Sequence, residues 1–511
     1  MTVGGFLTSG VFDTGEGNGG SITIDTSTLT LEKGGFITAS TYGKGDAGAI
    51  DITAKDSVKI DGFSGIQSNV VSGAKGNAGN IDLKAGSLSL TNGGGITSLI
   101  RGYETLADGT IVKQRGEGKG GKITIKAGDI NINGTYSDNN SSFSSQINTG
   151  TLGIGNAGDI DITASNITID DQGFFGSLVY EDGEGKGGNI TITTSNLTLK
   201  NGGFIITDTR ANGDAGNIKL DITDKLKLTN STISSGATSD STGKAGSINI
   251  DPTLIELDSS QITVNSQGSG DGGDITLRGN SLNLNNSTIN ASTKSGQGGN
   301  INLNIPDTIR QNNSKIEASA GENGNGGNVT IDTKFIIGNG SNISANAKQG
   351  NGGNIKITTQ GIFGYKDNQI DASSETGVNG VVDTKTPEVD PSQGLIDLPE
   401  NLLTATIVTN SCRQGQNSQN PLIVKGRGGL ALTSDQLFSS NEIEVDLIAP
   451  TSVKSSSAIN PTSTNMEKTA FKTIIPAQGW EINSQGDVVL VAHSTGNPAE
   501  RVNTAITCAS N

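Results

Sequence analysis

Asp51, Asp82 and Asp161 each stand three residues after a glycine that closes a Gly-x-[Gly/Ala]-Gly element. A constant offset in a repeated unit puts such carboxylates on one line. Paired carboxylates, one acid and one base or nucleophile, are what cleavage of a glycosidic bond uses. Polysaccharide cleavage is therefore the enzymatic chemistry these residue types point to. The line is interrupted, however, by Thr124, Thr191, Lys219, Asn249 and Thr276 at the same offset, and no Arg or Lys ladder accompanies the acids. Solvated surface explains them better. His493 is the only His and has Ser494 beside it, so a Ser/His/Asp arrangement would have to use it. Its valine-rich strand context reads as incidental. Cys412 and Cys508 form an even pair that suits a disulfide closing the end of the molecule, with free thiols as the alternative. A metal site is not expected, since one His and no Cys-x-x-Cys supply too few ligands. No cofactor is expected either.

The elements that would position these groups come from a repeat. Gly-x-[Gly/Ala]-Gly-x-[Ile/Val]-x-[Ile/Leu] recurs twelve times, its final glycine running from Gly20, Gly48 and Gly79 to Gly353. Two residues after each comes Ile22, Ile50, Ile81 and so on to Ile355, and two later Ile24, Ile52, Leu83 and so on to Ile357. Polar residues alternate between them, the signature of a strand with one buried face. Each copy then holds a second alternating segment, such as Leu29-Thr-Leu31 or Leu197-Thr-Leu199, and a third, such as Phe36-Ile37 or Ile205-Ile206. Copies are spaced 26 to 42 residues apart, which is enough for three short strands and three turns.

One such coil cannot bury its apolar residues or pair its backbone; stacked coils do both. The chain is thus expected to be all-β, a right-handed parallel β-helix of about 12 three-strand coils, the hand following the parallel-crossover rule. At about 4.8 Å per coil the rod would be roughly 55–60 Å long. Residues 1–377 hold the repeats, 378–400 read as a linker, and 401–511 as a small β-rich capping tail. Eight of ten Pro, both Cys and the only Trp lie beyond residue 380. Within the tail, residues 480–492 read as a hairpin turning near Gln485-Gly486.

The glycine loops have the composition of a phosphate-cradling turn, but such fingerprints follow a strand, open a helix and occur once. Here they read as corners needing positive φ and no side-chain bulk. Asn80, Asn189, Asn217, Asn300, Asn328 and Asn354, with Asp159 and Asp274, follow the final glycine and are expected to stack from coil to coil. The two longest repeats carry inserts. One, Arg101 to Arg115, reads as a hairpin turning at Asp108-Gly109; the other runs from Thr135 to Phe143. Loops on rigid scaffolds often carry function, so Tyr103, Asp108, Tyr136 and Phe143 are the candidate binding residues, imagined as one protruding patch.

A hydrophobic share of 32% suits a thin structure rather than one thick core. The net charge of −16 argues against nucleic acid and anionic lipid, which need basic footprints. No transmembrane helix is expected, because no apolar stretch approaches 18 residues. The opening residues lack a basic region and an apolar core, so they do not read as a signal peptide. Residues 4–9 match 34–39, so the chain begins partway through a coil. The expectation is the C-terminal portion of a longer exoprotein whose signal peptide lies upstream.

The repeats, for example Gly155-Asn-Ala-Gly-Asp-Ile-Asp-Ile162, are compatible with a known class of exoprotein. More telling are Pro387-Glu-Val-Asp-Pro-Ser-Gln-Gly394, Cys412, Gly426-Arg-Gly-Gly429 and Ala477-Gln-Gly-Trp480 with Gly486-Asp-Val-Val489. Together they resemble the cyanobacterial exoproteins of the filamentous-haemagglutinin, two-partner-secretion type, over essentially the whole chain. The resemblance implies a non-enzymatic, extracellular or cell-surface β-helix, an adhesin or interaction scaffold. It further implies export by a dedicated outer-membrane transporter and contact with cell-surface glycans or proteins. The N-terminal secretion domain that such a transporter recognises is not among these 511 residues. A polysaccharide-active enzyme and a purely architectural surface layer are the alternatives.

Overall fold

The computed structural model describes residues 1–386, except 103, 106–110, 113, 138–141 and 367–368, together with 479–482 and 488–491. Two parallel sheets of 18 and 13 strands account for the repeats. Ile160 pairs with Ile190 and Ile190 with Ile218, each residue facing its counterpart one repeat on. The alternation read from the sequence thus becomes columns: Ile160, Ile190 and Ile218 are fully buried, as are Leu199, Leu228, Ile205 and Ile233. Each such side chain contributes about 1.5–3 kcal/mol by leaving water, which only stacking allows.

The thirteen short strands, from Phe6–Thr8 to Ile370–Asp371, mark about thirteen turns. The turn beyond the twelve glycine motifs is the N-terminal one, whose Phe6–Thr8 pairs with Phe36–Thr38. The first two segments of a coil are not separate sides. They share the larger sheet and often run on as one strand, as in Ile22–Leu31 and Ile50–Asp61. A register shift between Ala54 and Ser57 absorbs the corner without interrupting pairing. Pro306 lies inside the strand Ile301–Asn312 at just such a shift, between Ile305 and Thr308, where a missing N–H is tolerated. At Pro252 the strand breaks instead, into Ile248–Ile250 and Leu254–Asp258. A line of single bridges, Val11 to Thr41 to Val70 to Ile100 and onward to Ser374, closes the perimeter.

The glycine corners divide the two duties expected of them. The first glycine of the motif has positive φ in the early copies, for instance 133° at Gly45. The final glycine does not. A Cβ on Gly79 would lie 2.0 Å from the carbonyl oxygen of Gly48, so it is the close stacking of coils that excludes a side chain. The asparagine column bonds as expected, and does more: Asn217 Nδ2 donates to Asn189 Oδ1 at 3.1 Å, and the Asn217 backbone N–H to the same oxygen at 3.0 Å.

One core column ends irregularly. In the line Leu284, Gln311, Gly338, an amide and a glycine replace leucine. The Tyr365 ring occupies the space beside Gly338. Both amide atoms of Gln311 and the Tyr365 hydroxyl are buried without a hydrogen-bond partner among the described residues.

The stack continues past residue 377, where the repeat fades, to Val382–Lys385 on Ile355–Thr358. A second unit, residues 400–511, contains an antiparallel hairpin, Gly479–Ile482 with Val488–Val491 and Trp480 opposite Leu490. Cys412, Cys508 and His493 lie outside the described residues. Among the described residues no helix is long and apolar enough to cross a membrane.

Candidate functional site

The short strands Gly65–Gln67, Gly95–Thr97 and Gln146–Asn148 turn Ile66, Ile96 and Ile147 inward, all fully buried. Alternation then sends Gly65, Gln67, Gly95, Thr97, Gln146 and Asn148 outward. These six form the floor of a cleft of about 770 Å³. The outward column explains why there is a cleft. It reads Phe6, Phe36, Gly65, Gly95, Gln146, Phe174, Phe204, so two glycines interrupt an aromatic file. Phe6 stacks on Phe36 at 5.7 Å and Phe174 on Phe204 at 4.8 Å, while no ring fills the gap between the two groups.

The inserts supply the sides. Thr135–Ser137 pairs antiparallel with Ser142–Ser144, Tyr136 opposite Phe143. Neither ring stands off as a protruding patch. Both turn onto Phe63, at 5.9 and 4.9 Å between ring centres, and Phe63 meets Phe36 edge-on at 5.5 Å. Phe63 is still 45% exposed, so the wall presents an aromatic face to the cleft. The first insert is a hairpin as expected, Glu104–Thr105 pairing antiparallel with Ile111–Val112. Tyr103 and Asp108 lie outside the described residues, but Arg101 and Gly102 at its root line the opposite side with Leu152.

The floor amides are held in place. Asn148 donates through Nδ2 to the Tyr180 hydroxyl at 2.8 Å and to Gln146 Oε1 at 3.0 Å. Asn69 Oδ1 accepts the Leu99 N–H at 2.7 Å and the Thr97 hydroxyl at 3.2 Å. Such bonds fix which way each amide points before any ligand arrives. The Ser64 hydroxyl, beside the floor, is buried without a partner among the described residues. Arg101 carries the only formal charge among the described residues lining the cleft.

The carboxylates singled out from the sequence lie elsewhere. Asp51 and Asp82 are in register on the larger sheet, and Thr124 separates Asp82 from Asp161. Lys122 bonds to Asp161, whose carboxylate holds the lysine above its ordinary pKa. No group of three or more His, Cys, Asp or Glu among the described residues is placed to hold a metal. On the short sheet, burial pushes the Asp208 carboxyl above the usual range, although Ser234 Oγ and the Gly236 N–H donate to it at 2.6 and 2.5 Å.

Of the expected site residues the cleft therefore takes Phe143 directly and Tyr136 through Phe63. Sequence reading missed Phe63, Gly95, Asn69 and Tyr180. One signal was available: Gly93-Gly94-Gly95 stands where other coils have Gly34-Gly35-Phe36 or Gly202-Gly203-Phe204. No family model, curated protein or solved structure matches the chain.

Proposed function

We propose that this chain is a non-enzymatic scaffold displayed at a cell surface, an adhesin or interaction protein that engages its ligand through the cleft between the two inserts. The observation that carries the reading is the cleft itself: a recess with aromatic and amide lining, built on a rigid stack at the only coils that carry long inserts. Polar groups converging beside apolar surface are the usual make-up of a binding site. Its described lining lacks the carboxylate pair that glycosidic cleavage needs. Export by an outer-membrane transporter of the two-partner type belongs to the same reading and rests on the resemblance of the C-terminal sequence. Immobilised protein is expected to retain cells from a panel of bacteria. A variant with residues 135–144 replaced by a short glycine-serine turn is expected to lose that retention. Equal retention by both proteins would remove the cleft from the account.

A second reading, polysaccharide cleavage, rests on Asp51 and Asp82 facing each other across adjacent coils. Depolymerising activity lost in D51N/D82N would favour it; none is expected.

A further inference from the structure

We infer that the cleft takes a neutral oligosaccharide, an assignment that rests on reading the cleft as the ligand-engaging surface. Sugar hydroxyls are donors and acceptors at once, and so are the carboxamides of the floor, which offer an oxygen and an NH2 side by side. The amides come in pairs two residues apart, Gln67 with Asn69 and Gln146 with Asn148. In each pair the asparagine NH2 donates to the glutamine oxygen, at 3.4 and 3.0 Å. The same polar pattern thus repeats on coils two apart, about 10 Å along the rod at the usual strand spacing, a repeat suited to successive rings of a sugar chain. The Phe63 and Phe143 rings at the side offer the flat apolar face on which the C–H face of a pyranose packs.

Other ligand chemistries fit less well. A phosphate, sulfate or carboxylate calls for clustered cations, and the described lining has Arg101 alone. An extended peptide adding a strand needs a free sheet edge. This floor is a sheet face whose strands are paired on both sides, Gly95–Thr97 with Gly65–Gln67 and with Gln146–Asn148.

Gly95 supplies the decisive variant. A Cβ there meets nothing nearer than Gln146 Cγ at 3.7 Å, whereas at Gly65 it would meet the Gly95 carbonyl oxygen at 2.7 Å. Gly95→Leu therefore fills the floor without disturbing the stack. The full chain, Gly95→Leu and Phe143→Ala are titrated calorimetrically with tri- to hexasaccharides of the gluco, galacto, manno and xylo series, and with uronic and sulfated counterparts. Thermal unfolding of each variant checks folding. The expected result is binding of a neutral series, abolished in Gly95→Leu and weakened about tenfold in Phe143→Ala, the loss of one aromatic contact. Binding only of acidic saccharides, binding unaffected by Gly95→Leu, or no saccharide binding would each overturn the inference. If no sugar binds while replacement of residues 135–144 still releases cells, the ligand class fails and the cleft stands. If a neutral sugar binds but cells are retained regardless, the ligand class stands and the adhesive reading fails.

Discussion

The coils from residue 231 to 344 and those from 36 to 180 share an interior and differ outside it. In the later coils Ser231, Ser260, Ser287, Ser314 and Ser341 stack in one column. Each hydroxyl accepts the backbone N–H of the serine one coil earlier at 3.0–3.1 Å. In the earlier coils the same column reads Gly35, Ser64, Gly94, Ser145, Gly173, so the ladder is broken and the Ser64 hydroxyl is left alone. Inward, Ile66, Ile96 and Ile147 match Ile262, Ile289 and Ile316, all fully buried. The inward columns hold the stack up wherever they occur. What faces outward is free to be a ladder in one place and a cleft in another.

The sharpest way to break that comparison uses one residue type twice. Gly273→Val puts a Cβ 1.7 Å from the Gly246 carbonyl oxygen. It is expected to destabilise its coils by more than about 4 kcal/mol, the range of severe steric lesions, seen as a lower urea midpoint or loss of soluble protein. Next in size, Ile96→Ala beneath the cleft and Ile262→Ala beneath the serine ladder should each cost about 2–5 kcal/mol. Their urea midpoints should fall by similar amounts. A much smaller loss at Ile96 would mean that the cleft coils are packed more loosely than the rest.

A gain comes third. Gln311 brings two unpartnered amide atoms into a leucine column, so Gln311→Leu is expected to stabilise by about 1–3 kcal/mol. Smallest is a pH effect. Because burial raises the Asp208 pKa, its folded form holds a proton more tightly than its unfolded form. The stability linked to it is complete below the unfolded value of about 3.9 and is lost as pH rises through the folded one. Asp208→Asn should therefore match the wild type near pH 3 and exceed it by about 1 kcal/mol at neutral pH. Urea midpoints at the two pH values measure the difference.

Much of this was legible from the residues. Alternating aliphatics fixed which side chains face inward, and the spacing of the glycine motifs fixed which of them stack, Ile160 on Ile190 among them. Two features were not. The merging of the first two segments depends on a register shift such as that at Ala54 to Ser57, which leaves no periodic trace. The line of bridges through Val11, Thr41 and Val70 offers one residue per coil, too few to show alternation. The cleft was half legible. Tyr136 and Phe143 were visible as an unusual insert, but their partner Phe63 lies more than seventy residues earlier, and only the register of the coils brings the three together. The gap at Gly95 is a departure from a column, and the column must be known before the departure can be seen.

The claim on which the account turns is that an opened stretch of one outward column is the working surface of the molecule. Retention of cells by Gly95→Leu, measured beside its thermal unfolding, tests this most directly. The account predicts an unfolding transition like that of the unaltered chain and loss of retention. A folded Gly95→Leu protein that holds cells as before would contradict it.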